Sequence, residues 1–248
     1  MLGFARETGL SETTFVQPAT DEGADYRNRI WMVRGEIPFA GHPSLGTAVA
    51  VAFAGGEDQA SYVQQTGAGH QRCDVEVTGP TTARASMLQE PATFGPELDP
   101  ARVFAAAGID PRHTDPDLPA QVVATGVPQL LVPLAAAGLA ELAPDFEACR
   151  ALIDEHHAIT MFFAAVEGGR ARARAIIVEP DRMAEDPATG SAAGSLMAYL
   201  HARRGLDRVR IDQGVEMGRP SVLDCSLDGD RVRVGGSVVV VARGDVFL

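Results

Sequence analysis

Two apolar stretches of helical length, 43–54 and 192–200, carry no charged residue. A helix that is apolar all round belongs inside a protein, not on its surface. The many Ala and Gly residues in both stretches suit a sheet wrapped closely around each. Elsewhere the pattern is short and alternating, as strands require. It predicts strands near 13–17, 26–34, 60–65, 73–78, 83–90, 121–126, 130–133, 160–166, 171–178, 208–212, 221–226, 231–234 and 236–242. Helices are predicted near 1–8, 43–54, 101–107, 147–157 and 191–203. The most apolar long segment, 122–143, is interrupted by Pro128, Gln129, Pro133 and Glu141. It reads as strand, turn, strand and helix, not as a membrane span.

The pattern is written twice. Residues 36–42 read E-I-P-F-A-G-H and residues 185–191 read E-D-P-A-T-G-S. Glu36 and Glu185, Pro38 and Pro187, and Gly41 and Gly190 share one constant offset, and each turn opens one of the apolar helices. Downstream, Gln65 opens QTGAG and Gln213 opens QGVEMGRPS at nearly the same offset. Upstream, 26–33 resembles 172–178, and Thr14-Phe15-Val16 pairs loosely with Phe162-Phe163-Ala164. Several matches in one order imply two similar domains. The loop-rich segment 99–117, with Pro111 and Pro116, is the expected junction, giving 1–108 plus 236–248 as the first domain and 109–235 as the second. Copy two begins near Leu118 with two strands that copy one does not match. The first domain is therefore expected to be short of its N-terminal strands, and the strand at 237–242 to cover part of the edge this leaves.

Composition then removes alternatives. All 21 basic residues are Arg, so Schiff-base chemistry on lysine and a P-loop lysine are excluded. A net charge of −12 argues against nucleic acid or an anionic membrane as partner. Cys73, Cys149 and Cys225 are widely spaced, with neither metal-ligand nor disulfide spacing, which fits a cytoplasmic protein. The first ten residues do not read as a signal peptide. GHPSLG places His42, not Gly, two residues before Ser44, so it is not a hydrolase elbow. His156 and His157 are adjacent and diverge on a helix, and no metal site is expected. His70, His113 and His201 read as surface or capping residues.

A Gly-led turn opening a buried helix offers free backbone N–H groups and the positive end of the helix dipole to a carboxylate. Beside the two turns stand His42, Asp186 and Ser191. His exchanges protons near neutral pH. Asp186 and Ser191 are equally readable as helix caps. Glu12, in S-E-T-T-F-V, is readable as an ordinary first-turn glutamate.

Taken together, SETTFV (11–16), EIPFAGHPSLGTA (36–48), QTGAG (65–69), EDPATGSAAG (185–194) and QGVEMGRPS (213–221) resemble the PhzF-like family of phenazine-biosynthesis isomerases, with the diaminopimelate-epimerase fold. The resemblance implies an α+β fold of two domains, each a curled mixed sheet around a central helix, with the active site between them. It implies Glu12 as general acid/base, with His42 and Asp186 completing the catalytic set. It makes Gly41, Ser44, Gly190 and Ser191 the substrate-binding set. Epimerase relatives carry cysteines in the two turns; this chain has none there, which counts against a two-thiol mechanism. Family members usually begin with a further strand and turn ahead of the helix that precedes SETTFV.

The expected function is a cofactor-free, metal-free isomerase moving a proton between carbons of a small carboxylic acid. Burial is expected to raise the Glu12 pKa toward neutrality. The alternatives are an epimerase or racemase on the same scaffold, and a silent small-molecule-binding protein. By analogy with relatives, a homodimer is the expected assembly.

Overall fold

The computed structural model describes residues 1–178 and 182–246. The chain forms two compact units, 1–88 with 235–248 and 89–234. Residues 179–181 and 247–248 of the expected domains lie outside the described residues.

The first unit opens with helix α1 (Leu2–Thr8), closed by Gly9 in the left-handed conformation at φ 62°. Strands β1 (Thr13–Gln17) and β2 (Tyr26–Met32) pair antiparallel, and β3 (Gly35–Ile37) folds back on β2. Helix α2 (Gly41–Gly55) then leads to β4 (Gln59–Thr66), which lies parallel to β2. Strands β5 (Gly69–Gly79) and β6 (Thr82–Leu88) continue the sheet antiparallel. The core is built where α2 meets the sheet: Ala48, Val49 and Ala52 against Tyr26, Tyr62, Cys73, Val75 and Met87. The small residues on α2 permit that approach, as its pattern predicts. The helix is only half enclosed, however; Ala50 is exposed and Val51 and Phe53 are partly so.

The second unit begins with β7 (Thr93–Glu97) and α3 (Pro100–Ala107). Asp99 caps α3 by accepting from the Ala101 N–H, and Pro100 occupies its first position. Strands β8 (Gln121–Ala124) and β9 (Pro128–Pro133) form a hairpin, followed by α4 (Ala136–Glu141) and α5 (Phe146–His156). Strands β10 (Thr160–Glu167), β11 (Arg170–Val178) and β12 (Met183–Asp186) precede α6 (Gly190–Arg204). The unit closes with β13 (Arg208–Gln213), parallel to β11, then β14 (Ser221–Asp228) and the first part of β15 (Arg231–Val239). Here the central helix is enclosed along most of its length: every residue from Ala192 to Leu200 is buried. A second core, around Val103, Phe104, Leu130, Leu139, Leu152 and Phe163, packs α3, α4 and α5 on the other face of the sheet.

The written repeat is a structural one. Each unit contains a strand, a short strand returning on it, a central helix and a strand parallel to the first: β2–β3–α2–β4 and β11–β12–α6–β13.

Three differences from the sequence reading have local causes. The first division between units falls at 88/89, not 108/109, because α3 buries Val103 and Phe104 in the second unit's core. Strands 231–234 and 236–242 are one strand, β15, whose later residues lie beside β6. They do not cover β1, which stands at the other end of the first unit's strand order. Strands β3, β7 and β12 were not anticipated; they have three to five residues, and β7 carries Pro96 and no buried position. Among the described residues no helix is long and apolar enough to cross a membrane.

Candidate active site

In the first unit Glu12 lies just ahead of β1. The Thr14 hydroxyl on β1 accepts a 2.8 Å hydrogen bond from Thr47 on α2, which ties this segment to the helix. Two residues earlier in the chain, the Glu12 carboxylate meets His42, the second residue of α2. Its Oε2 lies 2.9 Å from His42 Nε2, with the Glu12 side chain 15% exposed and that of His42 55%. The contact is close but bent: Oε2 is buried and has no aligned hydrogen-bond donor among the described residues. The His42 imidazole, aided by Ser11, holds the Glu12 carboxyl below the usual carboxylate range. Burial pushes the other way and is outweighed. The expected upward shift is therefore reversed, because the His42 side chain at contact distance, with Ser11, outweighs the desolvation of a group that keeps some solvent.

The start of α2 carries no side-chain cap. Its N-cap position is Ala40, which has no acceptor to offer, and Pro43 has no N–H. The Gly41 and His42 N–H groups are left as the orphan donors of the first turn. A Cβ placed on Gly41 would meet nothing within 4 Å, so the space above the turn is open. Ser44 is different. It is fully buried, its hydroxyl has no partner among the described residues, and its carbonyl accepts from Gln64 Nε2 at 2.9 Å.

In the second unit β12 ends at Asp186. Glu185 beside it makes a two-pronged pair with Arg174 at 2.9 and 2.8 Å, and Arg174 also donates to the Leu139 carbonyl. Glu36 and Arg29 form the same pair in the first unit, at 2.7 and 2.6 Å. The repeated glutamates thus anchor the short strand that aims each Gly-led turn. The repeated prolines are anchored too. A Cβ on Gly67 would come within 2.8 Å of the Pro38 backbone, and one on Gly214 within 3.0 Å of Pro187.

Asp186 is not the cap of α6. Its Oδ2 accepts from the Thr189 hydroxyl at 2.6 Å, and Thr189 stands at the N-cap position. Gln213, fully buried, donates to the Asp186 carbonyl at 2.6 Å and to Thr189 Oγ1 at 3.0 Å, and accepts from the Thr189 N–H at 3.1 Å. A threonine that would ordinarily cap the helix is turned onto Asp186 instead, and α6 starts without a side-chain cap. Ser191 is not the cap either. It is the second residue of the helix, and its Oγ accepts from Gln129 Nε2 at 3.2 Å. Gly190 and Ser191 therefore begin an uncapped helix, as Gly41 and His42 do.

The sequence reading missed the supporting residues. Gln213 was noted as the head of a repeated motif, and Gln129 as an interruption in an apolar run; a lone amide inside such a run was the available signal. The cysteines lie elsewhere, all free and buried. Burial pushes the Cys73 thiol up to about 12 and that of Cys149 to about 11, and raises that of Cys225 as well. None supplies a thiolate near neutral pH. His113 is a correction: it is buried, 3.0 Å from Glu141, and not a surface residue. Among the described residues no group of three or more His, Cys, Asp or Glu is arranged to hold a metal.

A family profile described as phenazine biosynthesis-like protein (PhzC-PhzF) matches residues 1–244. The trans-2,3-dihydro-3-hydroxyanthranilate isomerase of Pseudomonas fluorescens is 34% identical over 262 residues, covering 100% of this chain and 88% of that protein. A solved structure described as a predicted epimerase of Pseudomonas aeruginosa superposes with a TM-score of 0.79 at 28% identity, over 98% of this chain and 88% of that one. A phenazine biosynthesis protein of the PhzF family from Bacillus anthracis gives a TM-score of 0.81 at 23% identity, over 97% and 86% of the two chains. The last supports the fold alone.

Proposed function

This chain belongs to the phenazine biosynthesis-like (PhzC-PhzF) family and is an isomerase, and on that premise we propose that it moves a proton between two carbons of a small carboxylic acid, with Glu12 as the general acid/base and no cofactor. The observation that carries the proposal is the Glu12–His42 contact of 2.9 Å at the mouth of an uncapped helix start. Glu12 is held as a carboxylate, the form a base requires. It removes a proton from an activated carbon: the C–H bond breaks, an O–H bond forms, and the electron pair spreads into the adjoining unsaturated system. Glu12–COOH then returns the proton to a second carbon. Nothing is gained or lost overall.

The remaining residues have binding roles in this proposal. Each unit offers a seat for a carboxylate at an uncapped helix start: the orphan N–H groups at Gly41 in the first, and those at Gly190 with the Ser191 hydroxyl in the second. Ser44 supports the first turn from below through Gln64. His42 keeps Glu12 ionised and accepts the altered charge when Glu12 is protonated. Within the second unit Asp186, fixed by Thr189, suits a substrate amino or hydroxyl group beside the α6 start. The substrate class is that in the relative's name, an unsaturated ring acid bearing such groups. General acid/base catalysis supplies about 10²–10⁴-fold, and oriented dipoles must supply the rest.

The test is proton NMR with trans-2,3-dihydro-3-hydroxyanthranilate in deuterated water. The native enzyme is expected to place deuterium at one carbon of the product. Glu12→Gln is expected to do so about 10²–10⁴-fold more slowly. Label entering at the native rate in Glu12→Gln sinks the assignment. An epimerase reading draws on the Pseudomonas aeruginosa structure's description. A product differing from its substrate only in the configuration of one carbon would select it.

A further inference from the structure

Gln129 and Thr160 lie deep in the second unit, 0% and 1% exposed, on strands β9 and β10. Buried polar side chains cost several kcal/mol unless they are paired, so a chain of them leading to a helix start invites an explanation. The hydrogen bonds fix which way the Gln129 amide faces. Its Nε2 lies 3.3 Å from the Val127 carbonyl oxygen, which can only accept. The atom there must be the nitrogen. The Gln129 Oε1 then faces the Thr160 hydroxyl, which donates to it. The second N–H of the same nitrogen points at Ser191 Oγ, 3.2 Å away.

This arrangement decides the polarity of Ser191. A hydroxyl has one proton to give and two lone pairs to receive with. Because Gln129 donates, Ser191 Oγ is an acceptor on that side, and its own proton must point elsewhere. Among the described residues no acceptor for that proton is found. It is released at the uncapped start of α6, where the first-turn N–H groups also lack intrahelical partners. The hydroxyl proton and the helix N–H groups then share one open end.

We propose that Gln129 and Thr160 are positioning residues that aim the Ser191 proton at an anionic oxygen of the substrate. The proposal rests on the reading of the α6 start as a carboxylate seat. Val127 and Thr160 lock the amide, the amide locks the serine, and the serine selects a carboxylate over a neutral or cationic group. Gln129 itself touches no substrate.

The test uses two stable ring compounds that differ by the carboxylate alone, 3-hydroxyanthranilate and 2-aminophenol, titrated calorimetrically into the full chain. The native protein is expected to favour 3-hydroxyanthranilate. Gln129→Met and Thr160→Val are each expected to weaken it by about tenfold, the scale of one hydrogen bond to a charged group, leaving 2-aminophenol unchanged. Thr160→Ser, which keeps the hydroxyl, is expected to restore native binding. In a Ser191→Ala background, Gln129→Met is expected to have no further effect, because the two act as one unit. Equal weakening of both compounds, or a full Gln129→Met effect without Ser191, overturns the positioning role while the seat stands. A native protein that does not distinguish the two compounds overturns the seat itself, and this inference with it.

Discussion

Glu12 sits under two opposing influences, and their balance sets how the enzyme responds to acid. Burial favours the neutral acid; His42 at 2.9 Å favours the carboxylate and prevails. A folded-state pKa below the unfolded value of about 4.3 means that the pairing stabilises the protein above that pH. The stabilisation is lost as pH falls through the folded value. Replacing His42 with Asn removes the larger lowering influence and leaves burial opposed by Ser11 alone. The acid limb of kcat/KM, measured across pH, is expected to move to higher pH in His42→Asn, above the usual glutamate range. The difference in stability between the two proteins is expected to be largest at neutral pH and to shrink as pH falls through the variant's raised value toward the native protein's lowered one. A limb that stays in place shows that His42 does not govern Glu12. Both residues could be named from their motifs, but the direction of the shift could not. It depends on a contact between residues far apart in the chain, made by a loop and a helix start that the Thr14–Thr47 bond helps to hold together. Gln129 and Gln213 were less legible still, since an amide in a strand gives no local sign of which helix it will reach.

At the scale of elements, the central helices and most strands were legible because their periodicity is local. What periodicity did not explain were the fixed residues of the repeat. In the folded chain they share one role, that of aiming the helix start. Glu36 and Glu185 hold the returning strands through Arg29 and Arg174, while Gly67 and Gly214 admit Pro38 and Pro187 at backbone contact. Gly214 is the more constrained of the two glycines. Its φ is +75°, and a Cβ there would lie 2.4 Å from the Arg219 carbonyl oxygen as well as 3.0 Å from Pro187. Gly218, in the same loop at φ +69°, has nothing within 4 Å. Gly218→Ala is expected to cost about 1 kcal/mol for the left-handed backbone alone. Gly214→Ala is expected to cost about 2–4 kcal/mol, because the clash adds to it and cannot relax without moving the turn that feeds α6. Denaturant titration of both variants checks the ranking. Equal costs would mean that the loop yields and that Pro187 is not held by it.

At the scale of the whole chain, the division between units is not where punctuation placed it. A loop rich in proline marked 99–117, yet α3 belongs to the second core, and that core begins soon after β6. Punctuation reports local backbone preference, whereas a unit boundary reports where buried contacts stop. The C-terminal segment makes the same point. Residues 235–248 belong to the first unit, far from it in sequence. Gly235 fits against the Ala85 carbonyl so closely that a Cβ would lie 2.7 Å away. Val238 and Val240 pack on the core around α2, and the Val240 N–H donates to the Thr81 carbonyl at 2.8 Å. Val241, by contrast, is 92% exposed. Ending the chain after Val240 is therefore expected to leave stability within about 0.5 kcal/mol of native, as surface changes usually do. Ending it after Val234 removes the later part of β15 and the two valines that pack on the core, all from the first unit. Hydrogen exchange is expected to show protection lost through β2, α2, β4 and β5 while α6 and β10 keep theirs. Isomerase activity is expected to fall with the first unit, because Glu12 and His42 are held there. Uniform loss of protection across both units would show instead that they unfold as one.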